Sequence, residues 1–178
     1  VAWPPDIFCR VYARCGGVLA MTFVSDDVAG QTSLLIAPGM WRRHLQPRLE
    51  LWCRPIHDLG GLVFHRTDGA ARPLFGPIVD GGVDVLNPIQ PACPGMDLGE
   101  LKREFGDRVV FRGSVDKQSV LSRGSPEDVR AQTRRCIETL GAGGVGYIVY
   151  SCHNVQLGRP LENVEAMIET TLNWSWAA

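Results

Sequence analysis

Several features that would point to a partner or a cofactor are missing from this sequence. Its 178 residues carry 18 basic and 19 acidic side chains, a net charge of -1, mixed along the chain without a block of one sign. Nothing in that pattern offers an electrostatic footprint for nucleic acid or an anionic membrane surface. No apolar run approaches the roughly 20 residues of a membrane-spanning helix. The opening VAWPPDIF has neither the basic end nor the apolar core of a signal peptide. The six cysteines, Cys9, Cys15, Cys53, Cys93, Cys136 and Cys152, form no CxxC pair, which suits reduced, mostly structural thiols and a cytoplasmic location. A phosphate loop with its lysine and a GxSxG elbow are also absent, which weakens nucleotide and serine-hydrolase readings.

What is present is an apolar content of 45%, enough for one globular domain over residues 1–178. Apolar runs alternate with amphipathic stretches. A short helix is expected over Pro4 to Ala13, then a strand from Val18 to Val24 that ends in Ser25-Asp26-Asp27. A helical stretch from Pro38 to Leu59 carries Trp41, Leu45, Leu49, Trp52, Ile56 and Leu59 at spacings of three or four. Pro47 and Pro55 should kink or divide it, and His44 and His57 read as helix-surface residues. Further strands are expected at Leu62–His65, Val83–Leu86, Arg108–Gly113 and Tyr147–Tyr150. Between them lie a short amphipathic segment, a helix capped by Asp97 with Glu100 reaching back, and a helix from Ser125 to Leu140 with Pro126 in its first turn. A last helix spans Pro160 to Leu172. Strand and helix thus repeat five times, the rhythm of parallel strands joined by helical crossovers.

In such βα units the chemistry is sought where strands end. The stretch from Gly61 to Pro91 supplies two such ends. One is His65-Arg66-Thr67-Asp68 before the turn at Gly69, and the other is Asn87-Pro88-Ile89-Gln90. His153 follows the fifth strand and is the strongest single candidate for catalysis. Cys152, its neighbour, should face the opposite side of that strand. Asp68 is read either as a proton donor or ligand, or as a helix cap, and Asp116 either as a catalytic carboxylate or as a turn residue. Asn87 and Gln90 offer amides that orient a polar substrate but cannot act as acid or base. Of Asp26 and Asp27, at most one should face a shared pocket, because adjacent strand residues point to opposite sides.

The succession SDDVAGQ, HRTDGAARPL, GVDVLNPIQPACPGMDLGELKREFGDRVVFRGSVDKQ, GSPEDVR, GGVGYIVYSCHNVQ and RPLENVEAMIE resembles the carboxyl-terminal half of the uroporphyrinogen decarboxylase superfamily. That resemblance implies a partial (β/α)8 barrel of five βα units, the first three apparently lacking. It implies one of two activities on a small-molecule substrate. The first is methyl transfer involving a corrinoid, with a corrinoid protein as possible partner and a metal-activated acceptor; donor chemistry allows zinc on His65, Asp68 and His153 or Cys152. The second is cofactor-free decarboxylation of a porphyrinogen-like acid, with His153 matching the family's histidine after the last strand and Asp68-Gly69 its Asp-Gly. The sequence departs from zinc-dependent relatives in lacking their His-x-Cys pair at His65-Arg66-Thr67, and a one-residue shift would place Arg66 where they carry histidine. A third alternative is an inactive half-barrel whose open sheet edges are covered by self-association or by a partner chain.

Overall fold

The computed structural model describes residues 10–11, 14–15, 20–144 and 146–175. The helix expected over Pro4 to Ala13 lies outside them except for Arg10 and Val11, as do Val18 and Leu19 of the first expected strand. Five parallel strands form a single sheet in strictly sequential order. They are β1 (Met21–Ser25), β2 (Leu62–Arg66), β3 (Val85–Ile89), β4 (Val110–Val115) and β5 (Tyr147–Ser151). Each strand is followed by helix. α1 (Pro38–His44) and α2 (Gln46–Asp58) follow β1, α3 (Arg72–Asp80) follows β2, and α4 (Leu98–Phe105) follows β3. The one-turn α5 (Val120–Arg123) and α6 (Pro126–Leu140) follow β4, and α7 (Leu161–Leu172) follows β5. The architecture is the expected partial (β/α)8 barrel.

The helix signals act largely as chemistry dictates. The stretch from Pro38 divides at Leu45, with Pro47 in the first turn of α2, where its missing N–H costs nothing. Pro55 sits inside α2 without ending it. Leu49, Cys53 and Ile56, all buried on one side of α2, hold the helix together across that proline. Asp97 accepts from the Glu100 N–H at 2.9 Å, but the Glu100 carboxylate does not reach back; it lies 3.2 Å from Arg72. Ser125 and Asp128 complete a reciprocal cap at α6. His57 stays near the surface and contacts Asp84 at 2.8 Å, whose carboxylate also accepts the Val63 N–H.

The core fills the space between sheet and helices. Val63, Leu86 and Phe111 of β2, β3 and β4 meet Trp41 of α1, Ile56 of α2, Leu74 and Phe75 of α3, Leu101 and Phe105 of α4 and Leu140 of α6. A smaller cluster joins Val115, Leu121, Val129 and Ala166 under α7. The other side of the sheet is different. Met21, Phe23, Leu62 and Ile148 are 40–56% exposed on the concave face. The glycine run from Gly141 to Gly146 has GxGxxG spacing, yet it leads from α6 into β5. It therefore offers no helix N-terminus to a pyrophosphate.

Candidate functional site

Register places a polar row across the concave face near the carboxyl ends of the strands. Ser25 pairs with Arg66 and Arg66 with Asn87. Since Leu86 pairs with Phe111, Asn87 stands level with Arg112, which pairs with Ile148. Alternation puts Arg66, Asn87 and Arg112 on one side of the sheet. One step down the same face, Phe23 stacks on Phe64 with ring centroids 5.2 Å apart. These side chains line a cavity of about 430 Å³, completed by Met21, Pro88, Tyr150, His153 and Asn154. A larger cleft of about 650 Å³ lies outside the barrel among Leu34, Ile36, Pro73 and neighbours. Its one charged side chain, Arg72, is already bound by Glu100 and Glu104, so we assign the chemistry to the smaller cavity.

Arg66 reaches two carboxylates. It lies 3.5 Å from Asp27 and forms a tight ion pair with Asp68. Asp27 also accepts the Asp68 N–H at 3.3 Å, which ties the end of β1 to the turn after β2. Burial raises the Asp68 carboxyl above its ordinary range, the Arg66 charge opposes this, the Asp27 charge adds to it, and His153 opposes it again. One Asp68 oxygen, Oδ1, is buried without a hydrogen-bond partner. An acid so placed holds its proton to higher pH than a solvated aspartate. His153 receives the Asn154 N–H on Nδ1 at 2.8 Å, so in the neutral ring the proton sits on Nε2.

The structure brings only part of the expected set together. Asn87 and His153 line the cavity, and Asp68 is close enough to His153 to feel its charge. His65 is not with them. It is 1% exposed, one residue out of phase with Arg66 and therefore on the helix-facing side. Burial depresses it to about 4, with Asp27 pulling weakly the other way. The proposed zinc set of His65, Asp68 and His153 is not assembled, and among the described residues no three His, Cys, Asp or Glu side chains are grouped to hold a metal ion. These residues do not fit a zinc centre. Gln90 is buried and its Oε1 accepts the Gly69 N–H, fixing the turn rather than facing the cavity. Asp116 is a turn residue, its two oxygens taken by the Gln118 N–H and the Ser119 hydroxyl at 2.7 and 2.6 Å. Asp27 is the member of its pair that joins the site; Asp26 donates its N–H to the Arg66 carbonyl.

Gly69 explains how the turn is held. Its φ is +86°, and an added Cβ would stand 2.2 Å from the Gly30 carbonyl oxygen, so only glycine allows the two loops to meet. The thiols of Cys53, Cys93, Cys136 and Cys152 are buried. Burial raises Cys136 to about 11 and moves Cys152 upward as well, and Cys152 donates to the Ile89 carbonyl at 3.2 Å. Arg112, Tyr150, Phe23 and Phe64 are site residues that sequence reasoning missed. A charged residue inside the otherwise apolar run Val109-Val110-Phe111 of β4 was the available signal.

Comparison with known proteins bears on the family and the fold. The uroporphyrinogen decarboxylase (URO-D) family model matches residues 15–174. Curated relatives include uroporphyrinogen decarboxylases of Coxiella burnetii (strain Dugway 5J108-111), 22% identical, and of Methylibium petroleiphilum, 27% identical. Each match covers 96% of this chain and 48% of the relative. The chain thus spans about half the length of these proteins. Among solved structures, a methyltransferase from Methanosarcina mazei superposes with a TM-score of 0.70 at 21% identity, over 93% of this chain and 45% of its own; it bears on the fold.

Proposed function

The chain belongs to the uroporphyrinogen decarboxylase family, and from that premise we propose that its cavity serves cofactor-free decarboxylation of a porphyrinogen-like acid. The observation that carries this reading is the donor set. The cavity presents two guanidiniums, that of Arg66 paired with Asp27 and Asp68, together with two amides and an imidazole, and lacks a grouping of metal ligands among the described residues. Such a set binds carboxylates and moves protons; it does not activate a thiol. In the proposed reaction a ring-borne acetate loses its carboxylate as carbon dioxide, and the electron pair left behind takes a proton to give a methyl group. Asp68, whose burial favours the protonated acid, supplies that proton and is recharged from solvent. His153 donates a hydrogen bond through Nε2–H to the substrate.

Corrinoid-dependent methyl transfer is the competing reading, and zinc is its marker. In chelator-free protein purified by size exclusion, we expect no stoichiometric zinc. With an anaerobic porphyrinogen polyacid we expect carbon dioxide release that resists chelator and is lost in His153→Ala. About one zinc per chain, absent from His153→Ala, overturns the proposal in favour of methyl transfer. The exposed concave residues Met21, Phe23, Leu62 and Ile148 would be covered by complementary βα units, from further polypeptide or from a partner chain. The assay therefore includes the oligomeric state of the sample.

A further inference from the structure

Several arginines around the strand ends and helices of this molecule pair with a carboxylate. Arg66 has Asp27 and Asp68, Arg72 has Glu100 and Glu104, and Arg108 has Asp80. Arg112 has none among the described residues, although it is only partly exposed and stands in the middle of the cavity wall. It is nevertheless held. Its guanidinium lies 3.5 Å over the Tyr150 ring and 5.4 Å from the centre of Phe64. One of its nitrogens donates to Asn87 Oδ1 at 2.7 Å, and Tyr150 is itself anchored by its hydroxyl to Asn154 at 3.3 Å. A planar cation fixed on an aromatic face keeps an edge of N–H groups for a bidentate acceptor and loses little freedom on binding one.

The neighbours share this polarity. With Oδ1 occupied by Arg112, Asn87 has only its amide N–H groups left to offer, and His153 offers Nε2–H. The groups left on Arg112, Asn87 and His153 are therefore donors, suited to an acceptor-rich anion. Arg66, two strands away, is already held by Asp27 and Asp68, which leaves Arg112 as the cavity guanidinium without a carboxylate among the described residues. Beneath them lies the apolar floor of Phe23 and Phe64.

We infer that Arg112, held flat on Tyr150 by Asn87, is a carboxylate-binding residue. Its open edge takes one carboxylate of a ligand whose apolar ring is seated on Phe23 and Phe64. The inference deepens the proposed decarboxylase reading and rests on it: Arg112 holds the carboxylate that is retained.

Calorimetric titration of the full chain with a monopyrrole bearing one acetate and one propionate, beside its dimethyl ester, tests this. The diacid should bind and the diester should not. Arg112→Gln should weaken the diacid by roughly 10- to 100-fold, the range of a lost charge-assisted bidentate contact. Arg112→Lys, which keeps the charge but loses the fork and the stack, should recover part of that loss, and the exposed Arg43→Gln should match wild type. Should Arg112→Gln fail to fold, Arg112→Lys carries the comparison alone, with an expected weakening of about 3- to 10-fold. Equal affinity of wild type and both variants, equal affinity for acid and ester, or no binding of the diacid overturns the inference. The readout is binding, so the two proposals fail separately. Diacid binding that depends on Arg112 without any carbon dioxide release removes the decarboxylase reading, whereas release with Arg112-independent binding removes the role of Arg112.

Discussion

Along β2 the side chains take turns between two environments. Val63 and His65 point to the helices and are 0% and 1% exposed, whereas Leu62, on the concave side, is 44% exposed and Arg66 lines the cavity. The same division runs across the sheet, with Leu86 and Phe111 on the covered side and Phe23, Asn87 and Arg112 on the other. Stability and chemistry are thus written on alternate residues of the same strands. A one-residue slip would exchange them.

The sharpest way to break this comparison is a matched pair of deletions. Phe111→Ala, on the covered face, should cost about 3–5 kcal/mol, and Phe23→Ala, on the concave face, less than about 1 kcal/mol. Urea unfolding of both variants reads the difference, and equal losses would mean that the concave face is also packed in solution.

Next in size is a pH effect from the covered face. His65 is depressed to about 4 in the folded state, below its ordinary 6.5, so the unfolded chain binds the extra proton first. Stability should be full above about pH 6.5 and fall by up to about 3 kcal/mol as the pH drops toward 4. His65→Leu should flatten that part of the profile; an unchanged slope would assign it to other groups.

Gly69→Ala probes the junction between the faces. The collision with the Gly30 carbonyl and the left-handed φ should cost about 2–3 kcal/mol and loosen Asp68 along with its turn. A melting temperature within a degree of wild type would remove the close approach from the account. The smallest expected effect has the opposite sign. Asp68→Asn relieves a carboxyl that burial disfavours as an anion, so it should stabilise the fold at pH 7 by up to about 1 kcal/mol while abolishing the proposed carbon dioxide release. Loss of stability would show that the Arg66 ion pair outweighs burial.

These contrasts also explain what could be read from the sequence. The five βα units, the Asp97 and Ser125 caps and the break near Pro47 were legible because each rests on local chemistry. The strand ends were less so. β3 was expected over Val83–Leu86 and runs over Val85–Ile89, since Asn87-Pro88 reads as a terminator although both residues lie in the strand. Faces were hardest. A strand covered by helices on one side and lining a barrel on the other is apolar on both, so alternation gives no phase. His65 therefore looked like a ligand and Arg112 went unnoticed. Only the register with neighbouring strands distinguishes Arg66, in the cavity, from His65 behind it.

The sequential strand order has a kinetic consequence. Each strand pairs only with the one before and after it in the chain, so every pairing closes a loop of one βα unit and no long-range closure is needed first. The sheet can grow by adding units to whichever neighbouring pair forms earliest, a low-barrier route for a parallel sheet. In the reverse direction β1 and β5, each with a single strand neighbour among the described residues, should open first. Their amides should exchange with solvent ahead of those in β3, a gradient running inward from both edges of the sheet.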